Sequence, residues 1–149
     1  MKAHGDIAYA RVLQGAAHEL GHAIVDLAGG LRVRSVVFDP ANGAGMTEVE
    51  VHLEDDTEPA VWRAWLIGCV AGFESETQWC ARYGGRAHRQ NSKVDFANFH
   101  EHRRRVRLSE GAARAAARKI LRQHWRDIER LAPQLVSAGQ MTTLIGGFR

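Results

Sequence analysis

The pentapeptide His18-Glu19-Leu20-Gly21-His22 makes chemical sense only if its stretch of chain is a helix. On a helix, residues four apart are separated by about 40° of rotation and about 6 Å of rise, so both imidazoles face the same way. Neutral imidazole is a good Zn²⁺ ligand, and a catalytic zinc keeps three protein ligands and one open position. The glutamate after the first histidine lies beside the pair, where it can act as a general base. The motif therefore predicts two zinc ligands, His18 and His22, and a catalytic base, Glu19. It also requires a third ligand from elsewhere in the chain.

The flanking residues supply the helix. Leu13, Ala17, Leu20, Ile24 and Leu27 form an apolar stripe at helical spacing, and Gly29-Gly30 is a stop signal, so a helix is expected over about 6–28. Residues 31–39 alternate and are rich in β-branched side chains, which predicts a strand; 46–53 alternate again and predict a second, antiparallel one. A helix is expected over about 58–82, capped by Asp56 or Thr57, with Pro59 in its first turn and Gly84-Gly85 as its stop. Its stripe is Trp62, Leu66, Cys69, Phe73 and Cys80, with Trp65 at the edge. Glu76 projects into that stripe, an expensive place for a carboxylate unless it is paired or near a metal. A polar loop over 86–92 leads to a third helix over about 93–106, with Ser92 as its cap. The chain from 109 to about 136 reads as helical with a kink or break forced by Pro133, and 140–149 reads as a tail. The fold class predicted is mainly α with a small two- or three-stranded antiparallel sheet, an α+β fold in one domain over 1–149.

At 45% hydrophobic and 25% charged residues, the 149-residue chain has an ordinary globular composition. Its net charge of +3 is mild, and the late arginines (Arg103 to Arg130) alternate with alanine and apolar residues, which reads as a solvated helical face. Aromatic interleaving for stacking on bases is absent, so no nucleic-acid partner is expected. Cys69 and Cys80 fall on one predicted helix about 16 Å apart along its axis, too far for a disulfide. They read as small buried residues in a reducing compartment, and the expected localisation is cytoplasmic. There is no signal-peptide pattern and no apolar run approaching 18 residues, so secretion and membrane spanning are not expected.

The third metal ligand is open on residue type alone. His52, Glu74, Glu76, His88, Asp95, His100 and His102 are candidates, and residue 28 is Ala where a long-spaced metzincin pattern would place a histidine. Asp95 also has a purely structural reading, since an acid three residues after Ser92 completes a capping box. Glu74 falls at the flank of its stripe and reads as a surface partner; His100 and His102 read as surface histidines, and the four tryptophans as core or interface anchors.

The segment AAHELGHAIVDL resembles the opening motif of the peptidase domain in FtsH-type AAA proteases. Gly45-Met46-Thr47 looks like that family's glycine-led substrate-edge strand. LIGCVAGFESE is similar to its helix with a paired glycine and an acidic segment, although the pair is Ala71-Gly72 here and Phe73 replaces an arginine. Residues 91–96 are similar to the segment carrying the family's aspartate ligand, and 117–142 follow the pattern of its C-terminal helices. The resemblance covers roughly residues 10–142.

What the resemblance implies is zinc held by His18, His22 and Asp95, with Glu19 as base and Glu76 as an acidic neighbour of the site. It places substrate along the strand edge from Gly45 through Met46 and Thr47 to Val51. The chain carries no G-x-x-x-x-G-K-[ST] sequence, so the activity expected is that of an ATP-independent zinc metallopeptidase cutting peptides or flexible, unfolded protein segments. The alternative is a non-catalytic interaction or regulatory module with a structural zinc site, which has no need of Glu19. A third reading takes the arginine face as functional and the histidine pair as accidental. Oligomeric state is open, a homo-oligomer included.

Overall fold

A computed structural model describes residues 2–142, with side chains from residue 5 onward. Five helices and three short strands run in the order α1 (Lys2–Ala28), β1 (Arg32–Asp39), β2 (Ala44–Glu50), α2 (Pro59–Tyr83), α3 (Lys93–His102), α4 (Glu110–Gln123), α5 (Trp125–Ala138), β3 (Gln140–Met141). The fold is mainly helical with one antiparallel sheet of strand order β2-β1-β3, an α+β architecture. No helix among the described residues is long and apolar enough to cross a membrane.

Helix α1 is the hub, packed against α2, α4, α5, β1 and β2. Its stripe behaves as its spacing demands: Ala17 and Leu20 are fully buried, Ile24 is nearly so, and Leu13 and Leu27 pack at the margin. Gly30 at φ +86° then lets the chain turn, with the Leu31 amide donating to the Asp26 carbonyl at 2.9 Å. The β1–β2 turn is closed by the Asp39 and Asn42 side chains, which accept from the amides of Ala41 (2.9 Å) and Ala44 (2.8 Å).

Helix α2 departs from the expected stripe. Cys69, Phe73 and Cys80 are only half-buried, whereas Gly68, Ala71, Gly72 and Ser75 are buried. The α1–α2 contact is built from small residues, so a search for large apolar side chains points at the wrong face. A Cβ on Gly21 would overlap Ser75, whose hydroxyl donates to the Ala17 carbonyl at 2.6 Å. The two backbones approach closely enough for side chains of one to bond the main chain of the other.

Other boundaries also move. β2 lies at 44–50 rather than 46–53, because β1 begins at Arg32, opposite Glu50, and offers 51–53 no strand to pair with. The third helix stops at His102 instead of about 106. Arg103–Arg105 tighten into a 3₁₀ turn, and Arg107 takes a left-handed φ of +51° to bring Leu108 into the core. Ser92 makes no capping bond; it ends a 3₁₀ turn (Arg89–Ser92) that already satisfies the Lys93 amide through the Gln90 carbonyl. Thr57 does not cap α2 either, since its hydroxyl accepts from the Glu54 amide at 2.8 Å.

The break between the last two helices falls at His124, not at Pro133. Pro133 sits inside α5 on the exposed face, where the Glu129 carbonyl left without its intrahelical donor can be hydrated. The start of the expected tail forms β3, pairing Gln140 and Met141 with Val37 and Val36; the remainder, from 143, lies outside the described residues.

Candidate metal centre

Two helices converge on one point. α1 supplies His18 and His22, and the first turn of α3 supplies Asp95. His22 Nε2 lies 3.2 Å from His18 Nε2 and 3.2 Å from Asp95 Oδ2, and His18 Nε2 lies 3.5 Å from the same oxygen. A tetrahedral zinc with its usual bond lengths holds its ligand atoms about 3.4 Å apart, so this triangle has the size of one coordination face. Among the described residues, these three form the group of acids, histidines and cysteines able to hold a metal. Two imidazoles and a carboxylate are a donor set that suits zinc and neighbouring first-row ions.

The second nitrogens of both rings fix which nitrogen faces the site. His22 Nδ1 donates to the Gly68 carbonyl at 2.7 Å, and His18 Nδ1 donates to Glu76 Oε2 at 3.3 Å, leaving both Nε2 lone pairs turned inward. Glu76, buried at 3% exposure, is held in turn by Gln14, whose Nε2 donates to Oε1 at 2.7 Å and to the Arg86 carbonyl at 3.0 Å.

Electrostatically the site calls for a cation. Burial works against a charged His18, but Asp95, Glu76 and Glu19 outweigh it and raise the imidazole to about 10. Burial opposes charge on His22 as well, and Asp95 reverses the balance, again raising it. Burial would raise the Asp95 carboxyl, yet His18 and His22 hold it well below the usual carboxylate range. Two lone pairs and a carboxylate facing one another at these distances repel unless positive charge sits among them. Protons supply it in the free protein, and a divalent ion would displace them.

Space for the ligands depends on Gly72. A Cβ there would overlap Nε2 of both histidines, so α2 can pass over the site only with no side chain at that position. Gly45 does the same for Glu19: a Cβ would come within 2.9 Å of its Cδ. Thr47 Oγ1 lies 2.8 Å from the Glu19 carbonyl oxygen and 3.1 Å from Glu19 Oε2, so β2 contacts both the main chain and the carboxylate of this residue.

No protein-family model matches this chain, and a search of the curated proteins finds no match either.

The cleft over the triangle has a volume of about 460 Å³ and is lined by Met46, Thr47, Val49 and Val51 on one wall and by Asn91, Val94, Asp95 and Asn98 on the other. A second hollow of about 490 Å³ meets it at His18, Glu19, Gly45 and Asn91, so the depression continues past the base in both directions. Gly45, Met46 and Thr47 thus border the site, with Met46 66% exposed on the open edge strand.

Other candidates lie apart. His52 bonds Glu54 at the surface, His100 pairs with Glu110 at 3.0 Å, and His102 packs against Trp62 and Trp65. Glu110 also grips Arg89, and Arg89 lies 3.8 Å above the Phe96 ring, which ties the start of α3 to α4. The guanidinium of Arg89 pulls the Glu110 carboxyl down to about 2. Glu74 is not a surface partner: it is buried at 2% exposure and paired with Arg114 and with Arg118 (3.4 Å) of α4. Two arginines of the expected solvated face are therefore committed to an internal acid. Trp62, Trp79 and Trp125 are core, while Trp65 lines the cleft.

Gln14 and Asp26 escaped sequence reasoning, although a signal was present. Gln14, His18, His22 and Asp26 recur every four residues, a polar row along one face of a helix that is apolar around it.

Proposed function

We propose that this chain is a zinc metallopeptidase acting on extended or flexible polypeptide segments, as the resemblance to the FtsH-type peptidase domain implies. The observation that carries the reading is the metal-sized triangle of His18, His22 and Asp95 with Glu19 beside it in an open cleft. Zinc held there would supply Lewis-acid polarisation of a carbonyl and acidification of water.

The remaining work belongs to the chain itself. Thr47 Oγ1 shares its one proton between the Glu19 carbonyl and Oε2, which leaves Oε1 to accept a proton from the attacking water and return it to the leaving amine. Glu76, backed by Gln14, keeps His18 in the tautomer whose Nε2 faces the site; the Gly68 carbonyl does the same for His22. Among the described residues β2 pairs with β1 alone, so a substrate strand can add to its other edge and lie along the two joined hollows. Main-chain pairing of that kind makes little demand on substrate sequence. This chain has no phosphate-binding loop of its own, so the segments it cuts unaided are ones already extended. Its thiols, with Cys69 pushed up by burial, fit a reducing cytoplasmic setting.

The deciding experiment compares wild type with Glu19→Gln on unstructured peptides, zinc content being measured in both. Loss of cleavage with zinc retained is the expected result. Equal activity in the two proteins, or none in zinc-loaded wild type, would leave the structural-zinc interaction module as the better reading. Asp95→Ala should reduce bound zinc at least tenfold.

A further inference from the structure

The row Gln14, His18, His22, Asp26 ends in a residue with no assigned work. Asp26 is 3% exposed, its Oδ1 has no hydrogen-bond partner, and it lines the same cleft as the metal triangle. Oδ1 is pressed against α2 where a Cβ on Gly68 would overlap it. Its stretch of the cleft includes Cys69, whose thiol is raised by burial and by Asp26, and the same cleft is lined by the apolar side chains of Val49, Val51 and Trp65, with no lysine or arginine among its described lining residues. A buried carboxylate without a partner is costly, and fold stability gives no reason to keep one. The other buried acids near this helix pair are both paired, Glu76 with Gln14 and His18, and Glu74 with two arginines. Among the described residues, Asp26 is the buried acid of this helix pair left without a partner, and it borders the cleft.

Resting on the peptidase reading above, we propose that Asp26 is the floor of a specificity subsite that takes a cationic side chain, lysine or arginine, of the bound polypeptide. The apolar surround accepts the methylene stem of such a residue while the charged end reaches the carboxylate. Position along the helix sets which substrate residue is read. Asp26 is one turn beyond His22, about 6 Å along α1. An extended substrate advances about 3.3 Å per residue, so the subsite reads a residue within two of the scissile bond. In the free protein burial pushes the Asp26 carboxyl up to about 7, as expected of an acid waiting for a countercharge.

The test uses zinc-loaded Glu19→Gln protein and end-blocked unstructured peptides in which a single lysine or its neutral isostere norleucine is moved through successive positions. Binding is read by fluorescence anisotropy. At one position lysine should bind about tenfold or more tighter than norleucine, the ratio expected for a charge-assisted bond to a buried acid. That preference should vanish when Asp26→Asn is added, with zinc content and circular dichroism unchanged. Equal binding of lysine and norleucine at every position overturns the subsite without reference to any Asp26 variant. A lysine preference spread evenly over all positions also overturns it, since that is the signature of general acidity in the groove. Cleavage by wild type is scored separately. A position-specific preference in a chain that cuts nothing leaves the subsite standing and removes the peptidase reading, whereas cleavage with no preference does the reverse.

Discussion

Thr47 Oγ1 sits 2.8 Å from the main-chain oxygen of Glu19 and 3.1 Å from its carboxylate Oε2, so one hydroxyl on β2 touches both ends of the residue placed to act as base. The contact ties a strand 28 residues away to the middle of the helix that carries both histidines. It also orients the acid without burying it.

Thr47→Val keeps the shape and removes the hydroxyl. A hydrogen bond to a charged group contributes about 1.5–3 kcal/mol, and here the loss falls on orientation of the base. Cleavage should drop about tenfold or more. Zinc content should be unchanged and the melting temperature only slightly altered, as measured by metal analysis and thermal denaturation.

Gly72→Ala should abolish metal retention, because the new Cβ occupies the space of both Nε2 atoms. Gly111→Ala is the matched control in α4, where nothing lies within 4 Å of the new methyl. It should bind metal normally and gain up to about 1 kcal/mol from helix propensity. Metal stoichiometry and urea unfolding on both proteins check the pair. Full zinc binding by Gly72→Ala would show that α2 does not crowd the site.

Removing either side of the Glu74–Arg114 pair should not cost the same. Glu74 is 2% exposed and cannot recover water, whereas the Arg114 side chain is 28% exposed and can. Arg114→Met leaves Glu74 only Arg118 at 3.4 Å and should therefore destabilise more than Glu74→Gln, and adding Glu74→Gln to Arg114→Met should recover part of the loss. Chemical denaturation of the three variants gives the comparison.

The pH dependence of stability should carry the mark of Asp26. Its carboxyl is raised by burial to about 7, with His22 lowering and Asp95 raising it. Between pH 4 and 7 the unfolded chain has lost this proton while the folded one keeps it. The Asp26 contribution is thus fully present at the acid end and lost as pH rises through 7. In metal-free protein, Asp26→Asn should gain stability relative to wild type across that interval, by roughly 2–4 kcal/mol in total. Urea titrations at pH 5 and pH 7.5 measure it, and a difference that does not grow with pH would contradict the assignment.

His18, Glu19 and His22 were readable from the chain alone because their relationship is local: four residues of helix fix which side chains share a face, whatever packs around them. Helical phase likewise placed Glu76 on the inward side of α2. Phase says nothing about which neighbour stands on the other side, so Glu74 was misread until α4 brought Arg114 and Arg118 against it. Asp95 lies 73 residues from His22 in sequence, and residue type left it level with six other candidates; the fold brings the two to 3.2 Å.

What the sequence by itself determined, then, is the local part of this protein: the apolar faces of its helices, the antiparallel strand pair, and the pair of imidazoles with an acid between them. Only the tertiary structure decided the rest. It brought Asp95, already implied by the family resemblance, to the third vertex, made Thr47 the partner of Glu19, placed the break at His124 rather than Pro133, and left Asp26 buried and unpaired. The room for the two ring nitrogens and the burial of Asp26 depend on the close approach of α1 and α2 across Gly21, Gly68, Gly72 and Ser75. Small residues carry no periodic apolar signal, and their effect appears only when two backbones meet.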